Sequence, residues 1–213
     1  MPLSGSVTID IFRPDMERPY DQRLACVIVK PMSKANVHPN TVTVVGLVLG
    51  IASACIFAFA DLALQPLAAL MFILAVFVDH MDGELARMSG KISIFGYYLD
   101  YLVGAANYTF LFCGLGLAIY RETGIEFALW LGTAAGLSNL VIVSLRMHME
   151  RRFGAEAVVH PHTGGMEIED FIYLIGPITW LGGLNYFFWV YGLGTLGYLA
   201  WTGFELLSRN RRA

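Results

Sequence analysis

The chain has 213 residues, of which 56% are hydrophobic and only 15% are charged. A soluble domain usually contains about 25% charged residues, so this composition indicates a protein whose solvent is lipid. The formal net charge of −3 gives no reason to expect a nucleic-acid partner. The three cysteines are an odd number, and Cys55 and Cys113 fall within apolar runs. We therefore interpret them as small hydrophobic side chains and not as disulfide partners.

The N-terminal segment, residues 1–40, is polar and shows no cleavable signal pattern. Four apolar residues repeat there at helical spacing, with charged residues between them: Tyr20, Leu24, Val27 and Ile28. This pattern predicts an amphipathic interfacial helix on the membrane surface, and Pro31 is expected to end or kink it. Because four positions form a short pattern, an unanchored polar tail is the alternative.

Five charge-free stretches follow, within residues 41–205. Four of them are close to the ~20 residues that a helix needs to cross the hydrocarbon core: Thr41–Ala60, Leu62–Val78, Tyr101–Tyr120 and Phe127–Leu145. The fifth, Phe171–Phe204, is too long for one span, so we predict two short helices joined by a turn near Gly182–Gly192. The sequence thus predicts a single all-α domain over residues 1–213, an integral membrane bundle of six transmembrane helices with a tail at 206–213.

The basic residues predict an orientation for these spans. With a cytoplasmic N-terminus and six spans, the segments 83–95 and 146–170 and the C-terminal tail are also cytoplasmic. All of the 14 Lys and Arg residues except Arg121 then lie inside. This agrees with the positive-inside rule, and an odd number of spans would break the agreement. We predict a multi-pass protein of the cytoplasmic (inner) membrane of a bacterium or archaeon.

Three aspartates stand where the second predicted span ends and the third begins. Asp79 and Asp82 have the i, i+3 spacing of one helix face, and Asp100 lies at the start of the next span. A short loop should make the two spans antiparallel neighbours, so the three carboxylates can meet. Charges at the edge of the hydrocarbon need a partner or a cation, and oxygen ligands favour Mg²⁺ or Mn²⁺. Such a centre suits a substrate with a phosphate head group and a lipid tail.

The residues after Asp82 favour a nucleotide as part of that substrate. Gly83 and Ala86 would let a bulky group approach the helix backbone, and Arg87 could hold a phosphate. The alternative is that these charges only cap helix ends and form salt bridges. For a lone aspartate we would prefer that alternative, but three aspartates and an arginine on facing helices favour a site.

Two further groups of residues are candidate sites. Arg146, Arg151 and Arg152 follow the fourth predicted span and could form a basic pocket for a phosphorylated second substrate, such as glycerol phosphate or inositol phosphate. Ordinary topology signalling is the stronger interpretation of these arginines. His160 and His162 lack further ligands, so we expect them to be solvated and not to bind metal.

The motif Asp79-x-x-Asp82-Gly83-x-x-Ala86-Arg87, followed after eight residues by Gly96-x-x-x-Asp100, resembles that of the CDP-alcohol phosphotransferases. Pro39-Asn40-x-x-Thr43 also resembles an element that precedes the first span in that family. The resemblance implies transfer of a phosphatidyl or substituted phosphoalkyl group from a CDP-alcohol to a hydroxyl acceptor in phospholipid biosynthesis, with release of CMP. The donor is often CDP-diacylglycerol. The resemblance also implies a homodimer.

The resemblance further implies a role for each motif residue. Asp79, Asp82 and Asp100 would bind Mg²⁺ or Mn²⁺, and five residues would line the pocket for CDP: Asn40, Gly83, Ala86, Arg87 and Gly96. The family pattern ends in a fourth aspartate, the expected general base, where this chain has Gly104. Loss of a general base typically costs ~10²–10⁴-fold in rate.

The glycine leaves several interpretations open. Gly104 could be natural in a non-catalytic member that binds CDP-lipid and metal, or it could be an engineered inactivation. Alternatively another group acts as the base: His80, Asp170 or Asp100 itself. A small transporter with the aspartates as an ion site is a third hypothesis. Transporter sites usually lie near the bilayer midplane, however, and these aspartates lie at one face.

Overall fold

The computed structural model describes residues 20–154 and 168–211, and within these ranges all regular structure is helical. The prediction of an all-α fold is therefore confirmed. The α-helices in these ranges are α1 (Tyr20–Lys34), α2 (Pro39–Phe59), α3 (Gln65–Ser89), α4 (Ile94–Thr123), α5 (Phe127–Phe153), α6 (Ile175–Trp180) and α7 (Leu184–Asn210). Short 3₁₀ segments, Leu62–Leu64 and Ile168–Leu174, precede α3 and α6. His160, His162 and the side chain of Asp170 lie outside the described residues.

In the part of the chain that the structure describes, four helices are long and apolar enough to cross a membrane: Pro39–Phe59, Leu62–Ser89, Ile94–Thr123 and Phe127–Phe153. The last three contain the corresponding predicted spans, and the first contains all of its predicted span except Ala60. The fifth stretch forms a short apolar helix, Phe171–Trp180, and then α7, with the turn at its predicted place around Gly182. α7 has 27 residues, so it is not the short helix that the sequence predicted. Its most apolar stretch has a lower mean hydropathy than those of the four helices named above, and it is not among the candidate spans. The count of six spans remains a prediction.

The helices around the aspartate motif are longer than the sequence predicted. α3 continues past Val78 to Ser89 and ends where Gly90 adopts a left-handed backbone, with φ of 67°. α4 begins at Ile94, where the Ser93 hydroxyl accepts a hydrogen bond of 2.9 Å from the backbone N–H of Gly96. Within the segment 83–95, only residues 90–93 therefore lie outside the two helices. The charged residues of the motif lie within α3, and the helix ends at Gly90.

α1 is present as a helix and continues through Pro31 to Lys34, so the prediction that Pro31 ends it is wrong. Proline removes only its own N–H, and its carbonyl still accepts a hydrogen bond of 2.9 Å from the N–H of Ala35. Ala25 and Val29 are buried against α3, whereas Leu24 and Val27 are exposed. Leu24, Val27 and Ile28 of the predicted apolar stripe are thus exposed, whereas the side chain of Tyr20 lies outside the described residues. Contact of this helix with a membrane surface stays a prediction.

α2 is the centre of the bundle around the motif. It packs extensively on both α3 and α4, which contact each other only sparsely. The prediction that α3 and α4 are simple antiparallel neighbours is therefore wrong over most of their length. Small residues permit this packing, since a Cβ at Gly114 of α4 would lie 2.6 Å from the carbonyl oxygen of Ala54 in α2.

Two cationic side chains tie the ends of these helices together. At the end far from the motif, Arg121 donates a hydrogen bond of 2.6 Å to the carbonyl oxygen of Ala58 in the last turn of α2, where a cation is favoured. At the motif end, Lys91 Nζ donates to the Asn36 carbonyl at 3.1 Å, to Asn36 Oδ1 at 2.7 Å and to the Val37 carbonyl at 3.4 Å. Lys91 thereby joins the α3–α4 loop to the α1–α2 loop.

Candidate metal centre

The three motif aspartates converge in the folded chain. Asp79 and Asp82 lie one turn apart on α3, Asp100 lies in the second turn of α4, and one carboxylate oxygen from each falls within 4.8 Å of the others. Asp82 is 4% exposed. Three carboxylates at this separation are close enough to share a single cation as ligands. The continuation of α3 to Ser89 places its two aspartates inside the helix and not at its end.

The electrostatics of this cluster favour a cation. The negative charges of Asp82 and Asp100 repel one another. Among the described residues, none donates a hydrogen bond to the buried Oδ2 of Asp82. A buried carboxylate oxygen without a donor is costly, and a cation would relieve both that cost and the repulsion. All three side chains offer oxygen, the donor that hard divalent cations such as Mg²⁺ and Mn²⁺ prefer. The residues therefore fit a divalent metal ion.

α2 shapes the cluster from one side. Its buried Thr43 lies beside the Asp82 carboxylate. One turn further along, a Cβ at Gly46 would lie 3.5 Å from the Ala75 carbonyl oxygen and 3.9 Å from the backbone nitrogen of Asp79. A methyl group at this position would be in ordinary van der Waals contact with the α3 backbone. The segment that bears the first aspartate therefore packs directly against α2.

Asn40 and Gly96, both predicted to line a nucleotide pocket, come together at the start of α2 and α4. A Cβ at Gly96 would lie 3.2 Å from Asn40 Oδ1 and 3.0 Å from Ser93 Oγ. A side chain at Gly96 would therefore be tight against both residues, and they would have to shift by a few tenths of an ångström to admit it. The backbone N–H of Asn40 donates to His38 Nδ1 at 3.2 Å, which fixes the first turn of α2.

Gly83 and Arg87 are also neighbours, since both terminal nitrogens of the Arg87 guanidinium lie 3.7 Å from where a Cβ at Gly83 would stand. Ala86 is half-buried in the same turn of α3. The sequence predicted that Arg87 holds a phosphate. In the structure its Nη2 donates to Glu84 Oε1 at 2.7 Å, a partner that sequence reasoning missed. The signal was present as an acidic residue three positions before the arginine on one helix.

The position of the missing aspartate is open. A Cβ at Gly104 would meet no heavy atom within 4 Å, so a side chain there has room. Among the candidate substitute bases, the charge of His80 acts on both Asp82 and Asp100. The Nδ1 of His80 lies 3.3 Å from the hydroxyl oxygen of Tyr173.

The three arginines of the predicted basic pocket lie within α5, which extends to Phe153. Arg146 donates to the hydroxyl of Tyr198 in α7 at 2.5 Å. Arg151 contacts the hydroxyl of Tyr98 in α4, and its guanidinium lies 5.0 Å from the centre of that ring. Arg152 lies over the ring of Phe153, its neighbour in sequence. These contacts tie α5 to α7 and to the first turns of α4, near Asp100.

A second network that the sequence did not reveal joins α4 to α5. The hydroxyls of Tyr97 and Tyr101 donate to the same carboxylate oxygen of Glu150, at 2.6 and 3.0 Å. The network flanks Asp100 in sequence and fixes the start of α4 against the end of α5.

Comparison with known proteins adds to this geometry. Residues 36–204 match the family model for CDP-alcohol phosphatidyltransferase. The chain is 26% identical over 121 residues to an archaetidylinositol phosphate synthase of Pyrococcus horikoshii, which covers 57% of this chain and 60% of that protein. It is 32% identical over 182 residues to an uncharacterized protein of Aquifex aeolicus, and the aligned region covers 84% of this chain and 87% of that protein. The chain thus spans less than two thirds of the synthase.

Proposed function

The chain belongs to the CDP-alcohol phosphatidyltransferase family, and we propose that it transfers a phosphatidyl or substituted phosphoalkyl group from a CDP-alcohol to a hydroxyl acceptor, with release of CMP. The proposed donor is CDP-diacylglycerol, because apolar helices long enough to cross a membrane surround the site and a lipid tail can remain in the bilayer. The observation that supports this most directly is the convergence of Asp79, Asp82 and Asp100 at one end of those helices.

Each motif residue has a proposed role. Asp79, Asp82 and Asp100 would hold Mg²⁺ or Mn²⁺, which when bound neutralises charge on the diphosphate and on the departing CMP. Arg87 would bind a donor phosphate through its guanidinium. Gly83, Ala86, Asn40 and Gly96 would line the nucleotide pocket, since the two glycines lie directly beside Arg87 and Asn40.

The acceptor hydroxyl must lose a proton as it attacks the phosphorus. We assign this proton to Asp100, the carboxylate one turn from the open position at Gly104. The acceptor itself is proposed to be phosphorylated. Arg146, Arg151 and Arg152 supply positive charge at the end of α5, and one relative is named archaetidylinositol phosphate synthase.

The cellular setting follows from the same argument. We propose that the motif end of the bundle faces the cytoplasm and that the protein lies in the cytoplasmic membrane. That orientation agrees with the distribution of Lys and Arg along the chain. Family resemblance leads us to propose a homodimer.

A second candidate function is binding of a CDP-lipid without turnover, as a sensor or partner subunit. One observation favours it: Gly104 leaves an open space where a catalytic carboxylate is expected. Binding and catalysis can be separated in one experiment.

That experiment is calorimetric titration of the purified protein with CDP-diacylglycerol, with and without Mg²⁺, followed by addition of acceptors and measurement of CMP. We expect binding that depends on Mg²⁺, and we expect Asp79→Asn and Asp100→Asn to abolish it. The matched control is Asp61→Asn, because Asp61 is exposed between α2 and the first 3₁₀ segment, away from the motif. Unchanged binding in both motif variants would contradict the metal assignment. Binding without CMP release would favour the second candidate.

A further inference from the structure

Glu84 occupies a position that the family motif leaves unspecified, yet the structure gives it a defined environment. It is 6% exposed, and its two carboxylate oxygens have different partners. Oε1 accepts from Arg87 Nη2 at 2.7 Å, and Oε2 accepts from Cys26 Sγ at 3.3 Å. The first bond is local to α3 and the second comes from α1. The carboxylate is thus held from two directions.

The bond to Glu84 uses only part of the Arg87 guanidinium. A guanidinium has five N–H donors in a planar fork, and one of them is directed to Oε1. In the described part of the chain, Arg87 has no other hydrogen bond. Its side chain is 41% exposed, whereas that of Glu84 is almost fully buried. The arginine is therefore anchored at one nitrogen and open at the others.

The anchored guanidinium lies where a ligand is expected. Both of its terminal nitrogens are 3.7 Å from the Cβ position of Gly83, the glycine next to Asp82. Its charge also acts on Asp100. Without an anchor, a flexible cation beside three aspartates would be drawn to those carboxylates, where a metal is expected to bind. Glu84 offers Arg87 a buried partner of its own.

We propose that Glu84 is a positioning residue that holds Arg87 in the orientation in which it receives the donor phosphate. This inference rests on the proposed function, because it assumes that Arg87 binds the diphosphate of a CDP-lipid. The alternative is that Glu84 competes with the ligand for Arg87. The two hypotheses predict opposite changes in donor binding when the charge of Glu84 is removed. Loss of an anchor weakens binding, whereas loss of a competitor strengthens it.

The test is a titration with CDP-diacylglycerol at saturating Mg²⁺ on four proteins: wild type, Glu84→Gln, Arg87→Ala and the double variant. Glutamine keeps the size of the side chain and a hydrogen-bond acceptor but removes the charge. We expect Glu84→Gln to weaken binding about tenfold, which corresponds to about 1.4 kcal/mol. In the Arg87→Ala background the same change should have little effect, because the residue acts through the arginine.

A matched control is available on α7, where Glu205 and Arg209 form a similar ion pair at 2.8 Å. Glu205→Gln should bind the donor as wild type does. Binding of Mn²⁺ alone should be the same in wild type and Glu84→Gln, because Glu84 is not among the three clustered aspartates. If Glu84→Gln does not fold, Glu84→Asp, which is one methylene shorter, is measured with the same expectation.

The outcomes separate this inference from the proposed function. A wild-type protein that does not bind CDP-diacylglycerol overturns both. Donor binding by wild type with equal or tighter binding by Glu84→Gln overturns the positioning role alone. The positioning role is also overturned if Glu84→Gln weakens donor binding as strongly in the Arg87→Ala background as in wild type. Glu84 would then act on the fold and not through Arg87.

Discussion

The substitution Gly104→Asp tests whether turnover is limited by a missing carboxylate. A Cβ at this position meets no heavy atom within 4 Å, so the side chain enters open space. The position lies four residues after Asp100 on α4, a rise of about 6 Å. At that separation and an effective dielectric constant of about 20, two carboxylates repel by roughly 3 kcal/mol. The new charge therefore needs a bound cation to compensate it.

We expect the substitution to accelerate the reaction when Mg²⁺ is present. A positioned general base typically contributes ~10²–10⁴-fold, equivalent to about 3 to 5 kcal/mol of activation free energy. The gain should appear in kcat and leave the KM for the donor nearly unchanged, because the base acts on the acceptor hydroxyl. Without Mg²⁺ the variant should unfold at a lower temperature than wild type, since the added repulsion is not compensated.

The assay is CMP release from CDP-diacylglycerol in detergent with a panel of acceptors, paired with thermal unfolding with and without Mg²⁺. Gly104→Asn is the matched control, because asparagine has nearly the same shape but cannot accept the proton. It should show the rate of wild type. The reasoning would be refuted if Gly104→Asp bound the donor normally but released CMP no faster. It would also be refuted if Gly104→Asn gave the same acceleration.

Two further substitutions test the packing that holds the site. Gly114→Ala should lower the free energy of unfolding by about 1–3 kcal/mol, because its Cβ would lie 2.6 Å from a carbonyl oxygen of α2. Gly194→Ala, at an open position on α7, is its control and should be neutral or slightly stabilising; equal unfolding temperatures would contradict the close approach. Lys91→Ala should cost about 1 kcal/mol in the same unfolding assay, because it removes hydrogen bonds from the α1–α2 loop. An unchanged unfolding temperature would show that this link does not stabilise the fold.

The sequence was sufficient to predict the features that depend on local spacing. Charge-free stretches of suitable length predicted four long apolar helices, and all four are present. The i, i+3 spacing of Asp79 and Asp82, with Asp100 after a short connection, predicted that the three carboxylates meet. Each of these inferences uses helix geometry and separations of no more than about twenty residues along the chain.

The sequence was insufficient where the outcome depends on distant partners. Tyr97 and Tyr101 bond to Glu150, about fifty residues away, and Cys26 bonds to Glu84 across a similar separation. No periodicity indicates such pairs. The helices α3 and α5 also extend beyond the charge-free stretches that predicted the spans, because such a stretch marks the apolar part of a helix and not its ends. Long charged side chains continue a helix well when they find partners, and Arg87 does so through Glu84.

The arrangement of α2 explains how a centre built from α3 and α4 can be well defined although these two helices barely touch over most of their length. Asn40, Thr43, Gly46 and Gly50 recur every three or four residues, so they form one face of α2. Along this face, Asn40 meets Gly96 of α4, Thr43 meets Asp82, Gly46 meets the backbone at Asp79, and Gly50 meets Asn107 of α4. The face therefore contacts both helices that provide carboxylates. The separation of those carboxylates is set by how closely α3 and α4 each approach α2. α2 therefore positions the site, although it contributes no aspartate to it.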